Sequence, residues 1–203
     1  VCFTTLQGQL VALDTADAKP RWIYSGRRNG SGRGSPAIAY GTVFSPVGRE
    51  IVALSLQDGQ ARWKIGEHVP DQYSSLALTP ETFYAAGHIS WGYLFAYDYE
   101  TTEIRWKSRG PYEAGGGVYF FKSPAVGADG SIYVNTTRGL RKFPPKPVKS
   151  DYVAENENQP AWYAFLLDKQ VEANQMIPHS SPTPWKDRVY AGRNDGKFVA
   201  LND

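Results

Sequence analysis

Apolar residues along this chain recur in short runs and not in helical stripes. VCFTTL (1–6), TVFSPV (42–47), TFYAAG (82–87), SIYVNT (131–136) and RVYAGR (188–193) are dense in Val, Ile, Tyr, Phe and Thr. Each run is bounded by Gly, Asp, Asn or Pro, the residues that open tight turns. Branched and aromatic side chains suit a pleated, half-buried surface, so these runs predict strands. No window of helical length carries a 3.6-residue apolar period, so no amphipathic helix is expected. Asp58-Gly59, Asp129-Gly130 and Asp195-Gly196 mark hairpin turns, because Gly accepts positive φ and Asp caps the turn.

A longer period is superposed on these runs. VALDTADAKPRW (11–22), VALSLQDGQARW (52–63) and FAYDYETTEIRW (95–106) each place an alanine ten residues before a tryptophan. The pairs are Ala12/Trp22, Ala53/Trp63 and Ala96/Trp106, with the tryptophans 41 and 43 residues apart. FVALND (198–203) repeats the opening half of this unit. Between the units stand SPAIAYG (35–41), SLALTPE (75–81), SPAVGADG (123–130) and SPTPWKD (181–187), each ahead of an apolar run.

Short strands under a 40–50-residue period predict an all-β chain, a β-propeller of four-stranded antiparallel blades with about four to five present. The chain reads as a single propeller unit over 1–203. Its blades are placed at about 1–25 (partial), 35–66, 75–109, 121–168 and 181–203 (partial). The first lacks its inner strand and the last its outer one, so the two ends do not complement each other. Two readings stand: a fragment of a larger ring, or a five-bladed ring with two thin blades. The first is favoured, because thin end blades leave sheet edges unpaired.

The Ala…Gly…Trp unit resembles the tryptophan-docking repeat of the pyrroloquinoline-quinone-type propellers, the quinoprotein alcohol dehydrogenase-like and BamB-like repeat family. The resemblance rests on Ala12/Asp14/Trp22, Ala53/Gly59/Trp63 and Ala96/Asp98/Trp106, with a partial match at Ala200/Asn202. It departs at Ala18 and Thr102, where that family carries Gly, and in the fourth blade, where GLRKF (139–143) stands in place of the alanine strand. Physically, a small Ala leaves room that a Trp fills, and the indole N–H reaches a neighbouring carbonyl. These tryptophans are therefore read as structural. In the dehydrogenases, the resemblance implies a vicinal Cys pair, calcium ligands and an acidic base; this chain holds one cysteine, Cys2. No cofactor is expected, and pyrroloquinoline quinone with calcium enters only under a dehydrogenase reading. The resemblance also implies an extracytoplasmic setting.

Composition narrows the function classes. The 203 residues are 41% hydrophobic and 14% aromatic, enough for a sizeable core, and the net charge is +2. That balance does not predict a nucleic-acid binder, and no stretch is long and apolar enough for a membrane-spanning helix. His68, His88 and His179 are not at metal-ligand spacing. No nucleophile elbow, P-loop or zinc-protease motif occurs. Asn29-Gly-Ser and Asn135-Thr-Thr match glycosylation triplets and carry little weight.

What remains are loops. SGRRNGSGRGS (25–35) sets Arg27, Arg28 and Arg33 among Gly and Ser, where guanidinium forks suit an anionic group on a partner. RGPYEAGGGVYFFK (109–122) carries Tyr112, Tyr119 and Phe120 beside glycines, the composition of an interaction patch. The favoured reading of Tyr119 and Phe121 is the start of the fourth blade's inner strand. A Pro-rich insertion at 144–160 interrupts the fourth blade. The reading favours a non-catalytic scaffold with a protein partner. The alternatives are part of a quinone-dependent dehydrogenase whose catalytic residues lie outside this chain, and a ligand-sensing domain.

Overall fold

A computed structural model of the protein describes residues 1–26, 34–48, 50–66, 74–87, 93–109, 112–113, 116–117, 123–136, 139–146, 162–164, 180–192 and 196–203. Every regular element among them is a strand. Blade 1 holds β1 (Cys2–Thr4), β2 (Gln9–Leu13) and β3 (Pro20–Ser25). Blade 2 holds β4 (Ala37–Ala39), β5 (Thr42–Val47), β6 (Glu50–Ser55) and β7 (Ala61–Ile65). Blade 3 holds β8 (Ala77–Leu78), β9 (Thr82–Gly87), β10 (Tyr93–Asp98) and β11 (Ile104–Arg109). A small hairpin, β12 (Tyr112–Glu113) with β13 (Gly116–Gly117), precedes blade 4. Blade 4 holds β14 (Ala125–Val126), β15 (Ile132–Thr136), β16 (Gly139–Phe143) and β17 (Trp162–Ala164). Blade 5 holds β18 (Thr183–Trp185), β19 (Arg188–Gly192) and β20 (Phe198–Asn202).

Within each blade the strands pair in sequence order, all antiparallel. The blades stack face on face, and successive inner strands touch: β4 with β8, β8 with β14, β14 with β18. The second strands β5, β9 and β15 are buried along their whole length, so both faces of the central strands lie in the core. This explains why they read as continuous apolar runs. The outer strands alternate; in β3 only Trp22 is buried.

Register turns the ten-residue spacing of the sequence into direct contact. Ala12 lies opposite Trp22, Ala53 opposite Trp63 and Ala96 opposite Trp106. In all three blades the register shifts immediately after the alanine, a bulge that strengthens the local twist. One residue further on, the same turn forms three times. The fourth residue after Asp14, Ser55 or Asp98 donates its N–H back to that residue's carbonyl, at 3.1, 2.9 and 3.1 Å. That fourth residue has positive φ in each case: Ala18 at 57°, Gly59 at 73° and Thr102 at 63°.

Ala18 and Thr102 therefore hold a left-handed backbone without being glycine, at a cost of about 1–2 kcal/mol each. Part of that cost is returned because Gly is freer than Ala in the unfolded chain. Ala18→Gly and Thr102→Gly are each expected to raise the stability by about 0.5–1 kcal/mol. Chemical denaturation measures this, and a loss of stability in both variants would contradict the assigned turn geometry.

Candidate functional site

The antiparallel order gives the arc two unlike ends. At the turn end, the connection from first to second strand meets the connection from third to fourth. The Leu56 N–H donates to the Gly41 carbonyl at 2.9 Å, Tyr99 to Glu81 at 3.0 Å and Asp203 to Asp187 at 2.8 Å. At the other end, second-to-third turns meet the connections that carry the chain to the next blade. There the Gly26 N–H donates to the Gly8 carbonyl at 3.0 Å, and the Gly192 N–H to Ser180 Oγ at 2.8 Å.

Two of the three loops singled out from the sequence leave from and return to this second, connection end. One joins β3 to β4, and Arg27, Arg28 and Arg33 belong to it; all three lie outside the described residues. The other joins β11 to β14. Tyr119 and Phe120 lie outside the described residues, while the Tyr112 backbone pairs with Gly117 in the small hairpin. Phe121 also lies outside the described residues, and the inner strand of blade 4 is described over Ala125–Val126. The 144–160 insertion joins β16 to β17, so it leaves from the turn end. The 109–122 and 144–160 insertions therefore depart from opposite ends of their blades. His68, His88 and His179 lie outside the described residues.

A line of hydrogen bonds ties the blades together at the connection end. The Ser35 N–H donates to Ser75 Oγ and the Ser75 N–H to Ser123 Oγ, both at 2.8 Å. These serines open the recurring Ser-x-Ala segment, so its repetition has a bonding reason. Thr4 Oγ1 extends the line by donating to the Gly34 carbonyl at 2.9 Å. Asn135, one of the two glycosylation triplets, is fully buried and donates Nδ2 to the Ser180 carbonyl at 2.6 Å.

Charge is concentrated at the junction of blades 4 and 5. Register places Lys142 opposite Trp162, the position taken by Ala12, Ala53 and Ala96 in the earlier blades. The fourth blade thus keeps the tryptophan and replaces the alanine with lysine, which is why its motif was not legible in GLRKF. Lys142 Nζ lies 2.5 Å from Asp203 Oδ1, 3.6 Å from Asp129 Oδ2 and 5.5 Å from the centre of the Tyr133 ring. Burial alone would lower the Lys142 pKa, but the hydrogen bonds and charges of Asp203 and Tyr133 together outweigh this and push it up to about 12. Burial, with the Asp203 carboxylate alongside, raises the Tyr133 phenol to about 12 as well.

At the turn end of blade 3, Arg105 grips Asp98 Oδ2 through Nε at 3.0 Å and Nη2 at 2.6 Å. The Asp98 carboxyl is held well below the usual range, first by the Thr101 N–H and then by Arg105. This network closes the turn and faces solvent.

Among the described residues no three His, Cys, Asp or Glu side chains gather as metal ligands. With one cysteine, this sequence holds no vicinal cysteine pair of the kind the resemblance implies for the dehydrogenases.

A family described as outer membrane protein assembly factor BamB matches residues 1–139. No curated protein matches the sequence. Among solved structures, BamB from Moraxella catarrhalis is 19% identical with a TM-score of 0.67, covering 99% of this chain and 54% of its own. Quinohemoprotein alcohol dehydrogenase from Comamonas testosteroni is 14% identical with a TM-score of 0.71, covering 99% of this chain and 39% of its own. The C-terminal domain of PilY1 from Pseudomonas aeruginosa is 16% identical with a TM-score of 0.68, covering 100% and 57%. These likenesses show the shared fold, and this chain spans about half the length of the BamB structure. The repeat register, the blade topology and the match over residues 1–139 together make the chain a member of the BamB family of β-propeller repeats.

Proposed function

We propose that this chain, as a single propeller unit over residues 1–203, is a non-catalytic scaffold that holds a protein partner at its connection end, in an extracytoplasmic setting. The observation that carries the reading is topological. The connections bearing Arg27, Arg28, Arg33, Tyr112, Tyr119 and Phe120 both depart from one end of antiparallel blades. Long loops on a rigid scaffold are a common way to present a binding surface, and Arg and Tyr are frequent anchors in such surfaces. The family description, an assembly factor for outer membrane proteins, supports a partner of protein type. Deleting 110–122 is expected to weaken a purified partner at least tenfold, about 1.4 kcal/mol. Deleting 147–160, on the opposite end, is expected to leave affinity within twofold. Titration of both folded variants, checked by circular dichroism, decides this; equal affinities would remove the connection end as the binding surface.

A second reading is favoured by the TM-score of 0.71 to a quinohemoprotein alcohol dehydrogenase. In it the chain is part of a quinone-dependent enzyme with its catalytic groups elsewhere. Calorimetric titration with pyrroloquinoline quinone, with and without calcium, separates the two: saturable micromolar binding supports the enzyme.

A further inference from the structure

Strand order assigns every connection between blade strands to one of the two ends, and the charged residues sort with it. The turn-end connections hold eleven Asp and Glu, four Lys and no Arg. The connection-end segments hold nine Lys and Arg against six Asp and Glu. All six arginines that stand outside the strands, Arg27, Arg28, Arg33, Arg49, Arg138 and Arg193, fall in connection-end segments. Their side chains lie outside the described residues; the strands that bound each segment fix its end.

The carboxylates of the turn end have a structural reason. Asp14, Asp58, Asp98 and Asp129 each accept an N–H inside their own turns. Turn closure draws on Asp, Asn, Ser, Gly and Pro and not on arginine, so the arginines need another reason. Strand arginines near the turn end are engaged: Arg105 holds Asp98 and Glu81, and Arg62 donates to the Gly41 carbonyl at 3.5 Å. Near the connection end, two described lysines add to the cationic charge. Lys64 and Lys107 directly follow Trp63 and Trp106 and stand close to the ends of β7 and β11. They lie over the Tyr24 and Tyr93 rings, at 4.8 and 5.7 Å. Glu50, which starts β6 at this end, is 6% exposed and accepts from the Tyr24 hydroxyl at 3.0 Å. Its carboxylate is therefore spent inside the fold.

We infer that the connection end receives an acidic stretch of the partner polypeptide, its carboxylates held by arginine forks. The inference rests on the scaffold reading and names the chemistry of its partner. A guanidinium meets a carboxylate through two parallel hydrogen bonds, a geometry that an ammonium lacks. Carboxylates interspersed among the cations suit a polypeptide of matching charge pattern and disfavour a uniform polyanion or an anionic lipid surface.

The test titrates the 203-residue chain with a labelled synthetic peptide of Glu-Ser-Gly repeats, read by fluorescence anisotropy. Saturable binding is expected, about tenfold weaker when Gln replaces Glu in the peptide. Arg27→Lys, Arg28→Lys and Arg33→Lys together keep every charge and remove three forks; they are expected to weaken binding about fivefold. Lys64→Glu with Lys107→Glu is expected to weaken it about tenfold. Lys19→Glu with Lys146→Glu makes the same charge change at the turn end and should stay within about twofold. Circular dichroism checks that each variant is folded. No binding, equal losses in the two reversed pairs, or a triple arginine variant that binds as wild type overturns the proposal. So does tighter binding to heparin or to phosphatidylglycerol vesicles than to the peptide, because the ligand is then a polyanion or a membrane. Self-association that the Lys64 and Lys107 reversal abolishes also overturns it, since the occupant is then a second copy. A protein partner released by deleting 110–122 but indifferent to every charge variant would remove this inference and leave the scaffold reading standing.

Discussion

Trp22→Ala is expected to destabilise the protein by about 3–5 kcal/mol, the range for emptying a large buried aromatic site. For a chain of this size that is a fall in the unfolding midpoint of roughly 10 °C. Three contacts fail together. The indole is 8% exposed in the core between blades 1 and 2, among Leu10, Val43 and Leu54. Its Nε1–H donates to the Leu56 carbonyl of the next blade at 3.1 Å. Its face lies on Gly59 so closely that a Cβ there would stand 2.7 Å from Cδ2. Gly59→Ala therefore meets both a left-handed backbone, φ +73°, and the indole. In the Trp22→Ala background only the backbone cost of about 1 kcal/mol should remain. A double-mutant cycle by urea denaturation checks the coupling; strict additivity would mean that the indole does not bear on the Gly59 turn.

The other two tryptophans show how one spacing gives unlike environments. Trp106 is 2% exposed and stacks with Phe143 at 6.2 Å. Trp63 is only half-buried and stacks on Phe83 at 5.1 Å. The turn of blade 3 carries Thr102, at φ 63°, in the place that Gly59 takes in blade 2.

The fold was legible because a blade is short and repeated. Ala and Trp ten residues apart fall opposite each other across one bulged hairpin, and three occurrences removed ambiguity. Ala18 and Thr102 read as departures from the glycine of the related repeat, yet the backbone keeps its left-handed turn there. Hydrogen bonds at Asp14 and Asp98 hold the conformation that glycine would adopt freely: the Asp14 carboxylate accepts from the Ala16 N–H, and that of Asp98 from Glu100 and Thr101. The fourth unit was illegible for the opposite reason. Trp162 is present, but Lys142 stands at the alanine position and 18 intervening residues separate β16 from β17. Spacing within a hairpin carries no signal once its connection lengthens.

The candidate site was legible only as composition. Arginines and aromatics among glycines mark loops, but which end of a blade a loop occupies depends on the parity of the strands it joins. The 109–122 and 144–160 insertions are near neighbours in sequence and depart from opposite ends.

Lys142→Met is expected to cost about 1–3 kcal/mol, the range for a hydrogen bond to a charged, partly buried partner. The junction of blades 4 and 5 depends on this pair more than the others would. Among the described residues its apolar cluster has four buried members, Tyr133, Leu140, Val189 and Ala191, whereas the other three clusters have seven or eight. The lysine and aspartate side chains are 15% and 20% exposed, so removing the ammonium leaves a largely desolvated carboxylate. Adding Asp203→Asn should recover much of the loss, since replacing both charges removes the unpaired one. The pH dependence has a fixed sign. The folded pKa of Lys142, about 12, lies above its ordinary value of 10.5, so its stabilising contribution is complete below about 10.5 and fades as pH rises towards 12. The stability gap between wild type and Lys142→Met should thus be constant from pH 6 to 9 and close above pH 10.5. A gap that instead stays level to pH 12 would show that Lys142 acts through its alkyl stem and not through its charge.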